Sequence, residues 1–152
     1  MSASNEAVLS PERERCLGGV LDEIVPPGPS GLPGAGELGL ANRIGAIADL
    51  ALVLEQGLSA LDELATSRGA GDFAALAQPG RLELLNEVAA AQPAFLPGLV
   101  FQTYMAYYQH PRVLEALGVP PRPPFPLGYE MQPSDLDALL SDVRRRPKLY
   151  RD

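Results

Sequence analysis

Apolar residues recur along the chain with helical spacing. Leu17, Val20, Leu21 and Ile24 fall at i, i+3, i+4 and i+7, one stripe on a helix face. In front of them, Ser10-Pro11-Glu12 supplies a capping hydroxyl, a proline suited to the first helical position and a carboxylate at the positive end of the dipole. Pro26 ends the pattern. Leu40, Ile44, Ile47 and Ala51 begin a second stripe, which Leu50, Leu54, Leu58, Leu61 and Ala65 continue. Gly57 interrupts that run at a cost of about 1 kcal/mol relative to alanine, which predicts a bend or a close helix crossing there. Gly69 to Gly71 form a stop, and Asp72 is placed to cap a short turn carrying Phe73 and Leu76. Leu82, Leu85 and Val88 predict a further amphipathic helix after Pro79-Gly80.

From Pro93 to Tyr108 the pattern changes. Phe95, Leu96, Leu99, Val100, Phe101, Tyr104, Met105, Tyr107 and Tyr108 cover nearly the whole helical circumference, which predicts a core helix enclosed on most sides. The uncharged stretch around it, Val88 to Pro111, contains Gln92, Pro93, Pro97, Gln102, Thr103 and Gln109 and makes a poor membrane span. Pro111 opens a short helix with Val113, Leu114 and Leu117, closed by Gly118. Last, Ser134 with Asp137 three residues on predicts a capped helix to Val143, with Leu136, Leu139, Leu140 and Val143 facing inward. Arg144, Arg145 and Arg146 stand at its negative end.

No segment alternates as a strand would, and no repeat of fixed period is visible. Of the 16 prolines, ten crowd two stretches, 26–36 and 119–133, with several glycines beside them, and these can be neither helix nor central strand. Phe125, Leu127 and Tyr129 lie in the second, where a flexible linker has little use for apolar groups. Each stretch therefore reads as a strap packed on the body or on a partner. The expected fold is all-α, a compact bundle of about five to seven helices with two Pro/Gly-rich straps. A length of 152 residues suits one domain, taken as 1–152.

Composition narrows the function classes. With 12 Lys and Arg against 19 Asp and Glu, the net charge is −7, which argues against nucleic acid and anionic membranes as partners. One cysteine excludes an intrachain disulfide, and one histidine excludes a multi-histidine metal site. The first residues show neither a basic segment followed by an apolar one nor a twin-arginine pair, so a cytoplasmic location is expected.

Candidate chemistry is sparse. Cys16 lacks a nearby histidine and reads as a small packed hydrophobe. His110 ends the aromatic helix, where its protonated form would suit the negative dipole end; a general acid–base role would need a partner such as Tyr104 or Glu115. The tyrosines at 104, 107 and 108 line either a pocket or a core edge. Asp22-Glu23 and Asp62-Glu63 diverge by about 100° on a helix, so neither forms an acid–base dyad, and both read as solvated faces. Gly34-Ala35-Gly36 has no preceding strand and no Lys-Ser/Thr, so it is not a phosphate loop. The arginine-rich run from 144 to 151 reads as a helix terminus or a docking segment. Pro120 to Pro126 is either an intramolecular strap or a polyproline surface for a partner.

Two stretches carry a resemblance. Tyr107-Tyr108-Gln109-His110-Pro111-Arg112-Val113-Leu114-Glu115-Ala116-Leu117-Gly118, followed by the proline strap to Pro126-Leu127-Gly128-Tyr129, resembles the closing part of the gluconate 2-dehydrogenase subunit 3 family. The opening is similar too: Leu9-Ser10-Pro11-Glu12, a helix ending in Ile24-Val25-Pro26, then Gly34-Ala35-Gly36-Glu37-Leu38-Gly39. The resemblance implies a small, cofactor-free helical subunit that binds, stabilises and helps mature a glucose-methanol-choline type flavoprotein. FAD is then expected in that large partner, a sugar or sugar-acid dehydrogenase, with a cytochrome subunit often accepting the electrons. Family members often carry a twin-arginine signal; its lack here implies a cytoplasmic complex, or periplasmic delivery by a partner with its own signal. The expected partner surface comprises Tyr104, Tyr108, His110, Arg112, Pro123, Phe125, Leu127 and Tyr129, with no catalytic, cofactor or metal residue in this chain. Two other readings stand beside it: an adaptor that binds a different partner through the proline strap, and a small self-sufficient enzyme using His110.

Overall fold

The computed structural model describes residues 9–122, 128 and 134–146. Seven α-helices follow in order: α1 (Pro11–Ile24), α2 (Ala41–Gly45), α3 (Ala51–Ser67), α4 (Gln78–Ala91), α5 (Phe95–Tyr107), α6 (Pro111–Ala116) and α7 (Leu136–Arg144). Three 3-10 turns lie between them, at Pro29–Gly31, Ala48–Leu50 and Phe73–Ala75, and no strand forms among the described residues. The fold is all-α. The chain divides into two compact units, Met1–Pro121 and Arg122–Asp152; α1 to α6 belong to the first and α7 to the second.

In the first unit α1 is the central element, packed against α2, α3, α4, α5 and the Phe73 turn. Its predicted stripe is the buried one, because Leu17, Val20 and Leu21 are fully enclosed and Ile24 packs at the edge. The Ser10 hydroxyl accepts from the Arg13 N–H, as a cap should. The second predicted stripe breaks in two: α2 ends at Gly45, and the Ala48–Leu50 turn redirects the chain before α3 starts. Gly57 is a close crossing. A Cβ at that position would overlap the ring of Phe95, so the missing side chain lets α5 approach α3. Gly69 (φ 81°) and Gly118 (φ 71°) close α3 and α6 in the left-handed conformation that glycine adopts without a Cβ clash.

Three expectations change. Leu84, not Leu82, joins Leu85 and Val88 on the buried side of α4, and Leu82 is exposed. Asp135, not Ser134, caps α7, its carboxylate accepting from the Ala138 N–H at 3.0 Å. Leu136, Leu139, Leu140 and Val143 are not inward-facing: all four are exposed.

The first strap is ordered and pinned. A turn closes through the Gly28 N–H donating to the Leu32 carbonyl (2.9 Å), and the Ala35 N–H donates to the Val25 carbonyl (2.9 Å). The buried Tyr107 hydroxyl donates to the Pro33 carbonyl at 2.9 Å, and the Gly36 N–H donates to Asp22 Oδ1 at 2.8 Å. This strap therefore packs on its own body. Ten of the fifteen residues of the second strap, 123–127 and 129–133, lie outside the described residues.

The acidic doublets are solvated faces only in part: Glu63 is exposed, whereas Asp22, Glu23 and Asp62 are drawn into contacts. Glu23 has a side chain only 3% exposed, and its Oε1 receives Nε and a terminal nitrogen of Arg81, each at 2.6 Å, tying α1 to α4. Asp62 accepts from Arg13 and from the Phe73 N–H, both at 3.2 Å, so it holds α3 against α1 and the following turn. Arg13 reaches Glu55 (2.7 Å) and Ser59 (2.6 Å) as well. Their local sequence shows only charge; the burial comes from helices distant in the chain.

Candidate functional site: an aromatic face on one helix

Helix α5 was expected to be enclosed, and it is two-faced instead. At about 100° per residue, Phe95, Leu99, Thr103, Ala106 and Tyr107 share an arc of about 120°, and these are its buried residues. Phe101, Tyr104, Met105 and Tyr108 share an opposite arc of about 100° and are 61%, 43%, 46% and 52% exposed. The one-sided burial has a simple cause. The α5 neighbours α1, α2, α3 and α4 belong to one packed body on its buried side, and the far side stays exposed.

The exposed side is organised. The rings of Tyr104 and Tyr108, one turn apart, stack at 6.2 Å with an interplanar angle of 8°. Tyr108 also meets the edge of Tyr107 at 5.2 Å and 88°. Tyr107 is itself buried and held by the Pro33 carbonyl, so Tyr108 packs against an anchored ring. Burial raises the Tyr107 pKa, with the neighbouring Tyr108 adding to the effect. Its phenol thus stays protonated and can donate.

At the end of this face the chain turns into α6. Contrary to expectation, His110 does not cap the α5 carbonyls; its side chain caps the next helix, Nδ1 accepting from the Arg112 N–H at 3.3 Å. Arg112 reaches Glu37 at 3.1 Å, and Arg43 donates to Gln109 at 3.2 Å, which anchors the α5–α6 corner to the strap and to α2.

Of the eight residues assigned to a partner surface, Tyr104 and Tyr108 come together on the face, and His110 and Arg112 form the adjacent corner. Pro123, Phe125, Leu127 and Tyr129 lie outside the described residues. Phe101 and Met105 were missing from the set. Their signal was the same i, i+3, i+4, i+7 spacing as the tyrosines, masked because the helix is apolar all round.

A groove of about 720 Å³ runs along α1. Every charged group on its wall already has a partner. Glu14 accepts from Asn42 (2.8 Å), Asp22 from the Gly36 N–H, and Glu37 from Arg112; Arg15 pairs with Asp72 and Arg81 with Glu23. These groups act as latches of the fold.

Cys16 is buried, and burial, then the charge of Asp62, pushes its thiol pKa well above the ordinary range. That is the reverse of what a nucleophile needs. Among the described residues no group of three His, Cys, Asp or Glu converges as a metal site would require. No helix among them is long and apolar enough to cross a membrane. No protein family, curated protein or solved structure matches the chain.

Proposed function

We propose that this chain is a non-catalytic helical subunit that docks through the outer face of α5 on a larger flavoprotein, an FAD-dependent sugar or sugar-acid dehydrogenase of the glucose-methanol-choline type. The observation that supports docking is the stripe of Phe101, Tyr104, Met105 and Tyr108, exposed on a helix whose other side is fully packed. Aromatic residues and methionine are the side chains enriched where protein interfaces exclude water. Burying rings that are already stacked and held costs little side-chain entropy. The identity of the partner rests on the resemblance of the Tyr107 to Gly118 segment and the opening helix to the subunit 3 family.

Co-expression with a flavoprotein of this type from the same genome, followed by size-exclusion chromatography, tests the reading. Co-elution is expected, and Tyr104→Ser with Tyr108→Ser is expected to abolish it without lowering the melting temperature of the isolated chain by more than a few degrees. Separate elution of an active, soluble flavoprotein would reject the assignment. His110→Ala separates the enzyme alternative: a subunit changes in complex yield, whereas a self-sufficient enzyme loses turnover by the isolated chain.

A further inference from the structure

Helix α7 carries a second apolar face. Leu136, Leu139, Leu140 and Val143 lie at i, i+3, i+4 and i+7 and are 60%, 69%, 40% and 54% exposed. The charges beside this seam are ordered along the helix. Asp135 and Asp137 stand at its start and Arg144, Arg145 and Arg146 at its end, and with Asp142 the three aspartates and three arginines cancel. Asp137 and Arg144 are seven residues apart, so they share one flank of the seam, where they pair at 2.6 Å. Arg145 pairs with Asp142 at 3.7 Å, away from that flank.

We infer that α7 is a self-association element and that its seam is covered by α7 of a second copy, running antiparallel. The argument is one of charge order. A two-fold axis midway between Leu139 and Leu140 sets Leu136 opposite Val143 of the second copy and Leu139 opposite its Leu140. The same operation keeps each flank on its own side. It brings Asp137 within about 3 Å, measured along the helix axis at about 1.5 Å per residue, of Arg144 of the second copy. Each internal Asp137–Arg144 pair thus becomes half of a four-charge network across the seam. A parallel arrangement would set aspartate against aspartate and arginine against arginine, whereas the antiparallel one sets opposite charges together. The chain as a whole carries net negative charge on both copies, and α7, whose charges cancel, is a segment that two copies can bring together without net repulsion.

Four side chains per copy make a seam smaller than the roughly 800 Å² per partner of a standard interface, so the association is weak, with a dissociation constant of about 0.01–1 mM. Sedimentation equilibrium of the full chain across that range is expected to show a monomer–dimer equilibrium. Leu139→Asp should weaken it at least tenfold. Asp137→Arg and Arg144→Asp should each weaken it about tenfold as well, because each sets like charges across the seam. An equimolar mixture of those two variants should recover dimer, since the positive charge introduced at position 137 of one chain then faces the negative charge introduced at position 144 of the other; an internal pair cannot produce that rescue. A wild-type chain that stays monomeric to 1 mM would overturn the inference, as would a dimer indifferent to Leu139→Asp or a mixture that stays monomeric. A dimer lost instead on Phe101→Ser with Met105→Ser would place the contact on α5 and overturn it too.

Discussion

A methyl group added at Gly57 would overlap the Phe95 ring, whereas one added at Gly18 meets no heavy atom within 4 Å. Both glycines lie inside helices, where alanine is better by about 1 kcal/mol, so the surroundings decide the sign. Gly57→Ala is expected to lower stability by about 1–2 kcal/mol, because overpacking costs about 1–3 kcal/mol and outweighs the helical gain. Gly18→Ala is expected to raise it by about 0.5–1 kcal/mol. Urea midpoints of the two variants check both. The pattern of Gly57 inside an apolar stripe was enough to predict a bend or a crossing, but not that it is a crossing or that Phe95 makes it. Cys16 provides a pH test. Its folded-state pKa is raised by burial, so the thiol's contribution is present in full below about pH 8.5, the ordinary thiol value, and is lost as pH rises toward the folded value. Between pH 8.5 and 9.5 stability should therefore fall, by up to about 1.4 kcal/mol per pH unit, and Cys16→Ala should flatten that slope in urea titrations. Below pH 10 the Tyr107 phenol, also raised, does not yet contribute.

Elements are joined here by a few polar latches between segments far apart in sequence. Removing the Tyr107 hydroxyl as Tyr107→Phe leaves the Pro33 carbonyl without its donor, at an expected cost of about 1–3 kcal/mol. Hydrogen exchange should rise in the strap around Gly31 to Gly36 and stay unchanged in α3. Arg81→Ala leaves the carboxylate of Glu23 buried and uncompensated between α1 and α4, and is expected to cost about 3–5 kcal/mol in thermal or urea unfolding. Neither latch could be read from local pattern. Asp22-Glu23 follows the polar side of an amphipathic helix, and only the approach of α4 and the strap converts that polar side into an interior. Two helix starts were legible for the converse reason. Ser10 before Pro11 and Asp72 before Phe73 cap groups two or three residues away, so nothing beyond the segment itself was required.

For the molecule as a whole, the buried cluster among the described residues runs from Cys16 to Val113, with Leu9 packed at its edge, all within the first unit. Residues 1–121 are therefore expected to fold alone with a cooperative thermal transition; a broad, non-cooperative melt of that fragment would show that the core needs residues beyond it. The two exposed helical faces, on α5 and α7, have the same i, i+3, i+4, i+7 spacing and different chemistry. The first is aromatic and uncharged; the second is aliphatic and flanked by charges of both signs. This difference is why a larger partner is assigned to one and a second copy to the other.

Hydrophobic period, proline and glycine placement and local caps were sufficient to determine an all-α chain and the positions of most helices, because each depends on backbone geometry within a few residues. They could not tell an enclosed helix from a half-exposed one. In α5 both sides are apolar, and which side meets the core depends on the position of four other helices. The same holds for α7, whose leucines predict a buried face and are exposed. A stripe of apolar residues fixes the direction in which a helix seeks a neighbour, and only the packed chain decides whether that neighbour is its own.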